Sequence, residues 1–349
     1  MTDRTFQPRA GYRDLAIYRT EGGAVEFDLS DNTNLFGSAP SARSAVAAWA
    51  AGDPASYPTP GIDGLRQALG SWIGVDPAAI VGGCGSNDVL DSAFRALVEP
   101  GATVAFAAPT FVMTAHFAAA NSLVPIAVPT LPDGRPDVDA LVATGASVIY
   151  LATPNNPSGV AATPEEIDSL LDRAPYLVIL DEAYVEFAGP SRAREAIDRG
   201  NVLVTRTFSK AWGLAGLRLG YGIGAPRLIE EVEKARGPFK VNAVAEMAAA
   251  AAVNHDREWL RATVERIQEA RRELVRELER LGLRPLRSDA NFVAVPVPDA
   301  KAVADRLAER GVAVRALIGG TVFGDLLRIT VGPPAAQQRL LETLAELPR

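Results

Sequence analysis

Lys210 stands inside residues 205–221, TRTFSKAWGLAGLRLGY, a few positions after an apolar run. A lysine on the floor of a site can be held neutral and attack a carbonyl to form a Schiff base. Ser209 and Arg218 flank it and suit a phosphate. Taken alone, a Ser-Lys pair is an ordinary solvated loop, so the neighbouring segments decide its meaning. Residues 177–184, LVILDEAY, end an apolar strand on Asp181, where an unpaired carboxylate would be costly to bury and calls for a cationic partner. Tyr184 follows within reach of the same ligand, although an N-cap aspartate would look the same. Residues 148–159, VIYLATPNNPSG, set Asn155 and Asn156 between Pro154 and Pro157. Two amides there could bond a ring oxygen, or form a plain turn. Residues 81–88, VGGCGSND, precede a helical pattern. Its glycines let backbone N–H groups approach an anion at a helix N-terminus, with Ser86 or Asn87 as the expected N-cap.

The rest of the residue supply narrows the chemistry. The chain has one cysteine, Cys84, and two histidines, His116 and His255. That leaves no internal disulfide, no Cys-type zinc site and little room for His-based metal sites, so no metal is expected. A single cysteine suits a reducing cytoplasm. There is no complete G-x-G-x-x-G, no Walker A string and no G-x-S-x-G elbow, which argues against dinucleotide, P-loop and α/β-hydrolase readings. The 349 residues carry a net charge of −7, which argues against nucleic acid as partner. No apolar run approaches a membrane span, and the charged start MTDRTFQPRAGYRD lacks the apolar core of a signal peptide.

Elements must bring these segments together. Short apolar runs at 103–107, 124–128, 148–151, 177–180, 202–205 and 218–223 read as strands, and helical patterns at 88–98, 164–172 and 226–234 separate several of them. Such alternation predicts an α/β fold with a mostly parallel sheet flanked by helices. Helices are also expected at 41–51 and 62–73, with a turn-rich loop at 53–61. After Asn242 the texture changes to an Ala-rich helix at 243–253 and a long amphipathic helix at 258–281. Strands at 292–295, 312–315 and 326–331, with a helix at 300–310, complete a smaller α+β part. The expected division is an N-terminal arm (1–40), a large domain (41–242) and a small C-terminal domain (243–349).

In this order the four segments resemble pyridoxal-phosphate-dependent aminotransferases of fold type I. FSKAWGLAGLRLGY is very close to the lysine motif of the histidinol-phosphate aminotransferase family, and the resemblance runs along essentially the whole chain. It implies pyridoxal 5′-phosphate as cofactor, with Lys210 joined to its aldehyde and shuttling a proton. Asp181 would pair with the pyridine nitrogen. Tyr184 and Asn156 would bond the ring hydroxyl oxygen, and Phe111 would stack on the ring. Gly85, Ser86, Asn87, Ser209 and Arg218 would hold the phosphate.

The resemblance also implies a cytoplasmic homodimer with shared sites. Tyr57 would reach the partner's phosphate and Tyr18 the partner's substrate. Arg328 in LLRITVG and Arg315, thirteen residues earlier, would bind the substrate's anionic groups, with Asn32 and Asn156 beside them. Asn242 matches the second asparagine of a PFNVN-like segment. Ala108–Pro109 and Asn156–Pro157 are the expected cis peptides. Three departures surround the substrate pocket: Asn32-Thr33-Asn34-Leu35 replaces the usual NENP, Lys240 replaces an asparagine, and Pro333-Pro334 follow the arginine strand. The implied reaction moves an amino group between an amino acid, with glutamate the expected donor, and a keto acid or ketone. An aromatic or unusual amino acid of a biosynthetic pathway as substrate, or a threonine-phosphate-decarboxylase-like lyase, are the alternatives.

Overall fold

The computed structural model describes residues 6–13, 15–17, 25–52, 54–58, 60–319 and 322–346. Twelve strands occur among them: β1 (Phe27–Asp28), β2 (Ile80–Gly83), β3 (Thr103–Ala108), β4 (Val124–Pro129), β5 (Val148–Ala152), β6 (Leu177–Asp181), β7 (Val202–Thr207), β8 (Gly220–Ile223), β9 (Phe292–Pro296), β10 (Val312–Ala313), β11 (Arg315–Leu317) and β12 (Leu326–Thr330). Seven form one sheet in the order β2-β8-β7-β6-β5-β3-β4. Strands β3 to β7 run parallel, and β8 and β2 join antiparallel at one edge.

Every residue of β5 and β7 is buried, which is why 148–151 and 202–204 read as apolar runs, while the end of β7 buries Thr205, Arg206 and Thr207, with Arg206 paired to Glu186. The outer strand β4 is largely exposed, with only Val128 buried, and carries Pro125 and Pro129, residues suited to an edge that must not recruit another strand. The expected α/β architecture is therefore present. β9, β11 and β12 make a separate antiparallel sheet, and β1 pairs with β10. The 24-residue helix Arg257–Arg280 buries Leu260, Val264, Ile267, Leu274 and Leu278 along one stripe, at the helical spacing read from the sequence.

Several local expectations need correction. The run 312–315 is not one strand: β10 ends at Ala313 and β11 begins at Arg315, and they join different sheets. Arg218 is not in a strand but in a left-handed turn (φ 53°) before β8. Neither Ser86 nor Asn87 is an N-cap. The helix Ser86–Leu97 already includes both, and Gly85 caps it with φ 82°, a conformation that glycine adopts without strain. The cis bonds are Ala108–Pro109 and Thr153–Pro154, not Asn156–Pro157. The chain turns at 156–158, and the Asn155 backbone closes this loop through its bonds with Val160 and Gly159. Strand β2 and the helices Met113–Ala120, Val138–Ala143, Ala193–Arg199 and Pro334–Glu346 are present in addition to the expected elements. All but the last are short or Gly- and Ala-rich and give little periodicity; Pro334–Glu346 buries Ala336, Gln337, Leu340 and Thr343 at helical spacing. Among the described residues no helix is long and apolar enough to cross a membrane.

Candidate active site

The parallel strands β3, β5, β6 and β7 all end at one side of the sheet, where side chains just past their carboxyl ends share a crevice. A cavity of about 800 Å³ opens there. Its lining includes Asp181, Tyr184, Lys210, Ser209, Arg218 and Asn156, together with Asn32, Ser86, Asn87, Phe111, Arg315 and Arg328. Segments far apart in the chain thus converge on one cavity.

Lys210 follows β7 and donates from Nζ to the Asp31 carbonyl oxygen at 3.1 Å. Its side chain is partly open to the cavity, yet the surrounding protein removes enough water to push its ammonium down to about 7. Burial is the first cause. The Arg328 charge adds repulsion, and Asp31 opposes it. Asp181 closes β6 and is 7% exposed. Burial raises its carboxyl above the ordinary range, while hydrogen bonds from Tyr150 and the Ala183 N–H pull it back. Tyr150 Oη donates to Oδ2 at 2.7 Å and Ala183 N–H donates to Oδ1 at 3.1 Å.

At the other end of the cavity the Ser86–Leu97 helix presents its N-terminus, whose first N–H groups lack intrahelical acceptors. Arg218 Nη1 stands 3.5 Å from Ser209 Oγ. A Cβ on Gly85 would come within 2.7 Å of the Arg218 guanidinium, and one on Gly220 within 2.1 Å of the Ser86 nitrogen. Glycine at both places lets the helix N-terminus, Ser209 and Arg218 approach one another. Asp88, the acidic residue of that first turn, is turned elsewhere, with Oδ2 accepting from Cys84 N–H and Oδ1 paired with Lys240 at 2.9 Å.

The two asparagines part company. Asn155 fastens the loop, donating to the Pro109 carbonyl oxygen and Ser158 Oγ and accepting from Thr110 Oγ1, so it is not the ligand the sequence offered. Asn156 faces the cavity, and its Oδ1 accepts from Arg328 Nη1 at 2.7 Å. Arg328 Nη2 donates to the Ser30 carbonyl oxygen at 2.6 Å. Arg315 lies directly across the ladder from Arg328 and is paired with Asp31 at 2.7 Å. Like charges on opposite strand positions repel, and the Asp31 carboxylate offsets that repulsion. Asn32 is buried, and its Nδ2 donates to Tyr184 Oη at 3.0 Å.

Gly85 shapes the cradle from behind. Tyr57 is outside this cavity, 82% exposed and stacked on Phe239 with ring centroids 4.7 Å apart. Tyr18 lies outside the described residues. Asn242 caps the helix Ala243–His255, accepting from Ala245 N–H at 2.8 Å. Sequence reasoning missed Tyr150, Asp31 and Ser30. The one polar tip in the otherwise apolar VIYLA was the available sign of Tyr150. Nothing local marked the other two, which act through backbone or an ion pair. Among the described residues no cluster of His, Cys, Asp and Glu could hold a metal ion.

A lysine amine near neutrality, a fixed carboxylate and a phosphate-sized cradle suit a cofactor bearing an aldehyde, a basic ring nitrogen and a phosphate. Residues 25–344 match the family described as aminotransferase class I and II. A histidinol-phosphate aminotransferase of Akkermansia muciniphila is 37% identical over 91% of this chain and 89% of its own. Histidinol-phosphate aminotransferase 2 of Ralstonia nicotianae is 39% identical over 88% and 84%. Among solved structures, histidinol-phosphate aminotransferase from Sinorhizobium meliloti in complex with pyridoxal-5′-phosphate superposes with a TM-score of 0.88 at 29% identity, covering 99% of this chain and 98% of that one. Aspartate aminotransferase from Thermus thermophilus with maleate gives 0.79 at 25% identity, covering 92% and 91%.

Proposed function

The chain belongs to the class I and II aminotransferases, and from that premise we propose a pyridoxal 5′-phosphate-dependent enzyme that moves an amino group between an amino acid and a keto acid or ketone, with a pocket like that of the histidinol-phosphate aminotransferases. The observation that carries this is the convergence of Lys210, Asp181 and the Ser86–Ser209–Arg218 cradle on one cavity. Bound pyridoxal 5′-phosphate supplies an aldehyde that receives the amino group and a ring that withdraws electrons from the substrate's Cα.

The protein's own residues do the rest. Ser86, Asn87, Ser209 and Arg218 would hold the phosphate, with Gly85 giving them room. Asp181 would keep a negative charge toward the ring nitrogen and so favour its protonation. Tyr184 and Asn156 would orient the ring hydroxyl, and Phe111 would cover the ring. Lys210 Nζ, already poised between charged and neutral, would take the proton from Cα and return it to the carbon of the former aldehyde. Arg328, with Arg315 and Asn32 beside it, orients the substrate carboxylate, since a guanidinium fork matches two oxygens. Glutamate is the proposed donor.

We further propose a cytoplasmic homodimer in which Tyr57 serves the neighbouring protomer's cradle and Tyr18 its substrate. The exposure of Tyr57 away from its own cavity supports this. The division into an arm, a large domain and a small domain has the support of two sheets that lie wholly within 80–223 and 292–330. The test is a half-reaction panel. The yellow enzyme is mixed with single amino acids and with histidinol phosphate, and loss of its absorbance is followed. At least one donor should bleach it within seconds, and a panel with no response refutes the reading. Full activity in a monomer on dilution would refute the shared site.

A further inference from the structure

Tyr150 sits in the centre of β5, a strand otherwise made of Val, Ile, Leu and Ala, and it is fully buried. A phenylalanine would fill the same space, so the hydroxyl needs a reason. Tyr150 pairs in register with Ile179, and Asp181 pairs with Ala152. Tyr150 and Asp181 are therefore diagonal neighbours on one face of the sheet, a separation that a long aromatic side chain spans. Oη meets Oδ2 of Asp181 at 2.7 Å, the length of a charge-assisted O–H···O bond.

Other groups face the same carboxylate. The Ala183 N–H holds Oδ1 at 3.1 Å, and Thr205 stands opposite Asp181 on β7. The Lys210 charge acts on it from across the cavity. Both Tyr150 and Asp181 border the cavity. Burial pushes the Tyr150 phenol well above its ordinary range, so it stays a donor at any pH the protein meets.

Resting on the aminotransferase reading, we propose that Tyr150 is a positioning residue for Asp181: its hydroxyl fixes the carboxylate's rotation and holds it anionic, so that the cofactor's ring nitrogen meets a preset negative charge. A phenol that donates to a carboxylate stabilises the ionised form. It also restrains the torsion of a side chain whose free rotation would turn the charge away from the ring. Ala183 N–H, on the same turn as Asp181, moves with it and cannot supply that restraint. Tyr150 comes from a different strand, as Thr205 does, and its hydroxyl reaches the carboxylate at 2.7 Å.

The experiment compares Tyr150→Phe with wild type using two cofactors, pyridoxal 5′-phosphate and its deaza analogue, in which carbon replaces the ring nitrogen. Apoenzyme affinity for each is read by fluorescence quenching, which needs no turnover. Loss of a hydrogen bond to a charged group should weaken pyridoxal 5′-phosphate binding about tenfold or more. The deaza analogue, with no nitrogen to meet, should change less than about twofold on the same scale. In the holoenzyme, kcat should fall while KM for the donor stays. Equal losses with both cofactors, or none with either, would make Tyr150 a packing residue and overturn the inference alone. Failure of wild-type apoenzyme to bind pyridoxal 5′-phosphate would overturn the aminotransferase reading and this inference with it. Should the phenylalanine variant not fold, 3,5-difluorotyrosine at position 150 keeps the shape and alters only the phenol's acidity. A change confined to pyridoxal 5′-phosphate then supports the proposal, and a change shared by the deaza analogue overturns it.

Discussion

Lys210 should capture pyridoxal 5′-phosphate at neutral pH far faster than an ordinary lysine, because only the neutral amine attacks an aldehyde. With its midpoint pushed down to about 7, half of Lys210 is neutral at pH 7. A lysine with an unperturbed midpoint near 10.4 is about 0.04% neutral there, so the advantage is about 10³-fold. The sign follows from the proton count. Below pH 7 the rate should rise about tenfold per pH unit, and above it should level off. Stopped-flow mixing of apoenzyme with cofactor between pH 5.5 and 9.5 measures this, with a free amine as the control for the cofactor's own titration. Two variants separate the causes. Arg328→Ala removes a repelling charge and should move the midpoint up, and Asp31→Asn removes an opposing one and should move it down. A rate still climbing at pH 9.5 in wild type would show that Lys210 is an ordinary solvated lysine.

Lys210→Ala should leave the far-UV spectrum and Tm near wild type and abolish transamination; measurable turnover at a wild-type rate would remove Lys210 from the mechanism. Asp181→Asn should fold and bind cofactor weakly, with kcat down by orders of magnitude, since a neutral amide cannot hold the ring proton; an unchanged kcat would reduce Asp181 to a structural role. Arg328→Ala and Arg328→Lys should both lower kcat/KM by about 30- to 1,000-fold, because a point charge does not replace the fork that reaches Asn156 and Ser30. Half-reactions with glutamate would refute this if the lysine variant ran as fast as wild type. Gly85→Ala forces a Cβ within 2.7 Å of Arg218 at φ 82°, so cofactor affinity measured on the apoenzyme should drop at least about tenfold; unchanged affinity would mean the cradle does not need that glycine.

The sequence by itself determined the alternation of apolar strands and helices, and with it the α/β sheet, because burial on both faces forces continuous Val, Ile and Leu runs. It also marked Lys210, Asp181 and Arg218, whose polar chemistry interrupts such runs at their ends. Short helices such as Val138–Ala143 escaped, since six residues carry too little periodicity to separate from a loop.

Only the tertiary structure decided how neighbours divide their work. Asn155 and Asn156 are indistinguishable in the string NNP, but the backbone directs one into the loop's own hydrogen bonds and the other into the cavity. The run 312–315 looks like one strand, yet Val312 pairs with β1 and Arg315 with β12, and this places Arg315 opposite Arg328. Asp31 reaches Arg315 and Lys210 from 284 and 179 residues away. Such contacts depend on which surfaces the folded sheets bring within a few ångströms of each other. A linear pattern records the apolar content of each element but not which polar tips will meet across the gap between them.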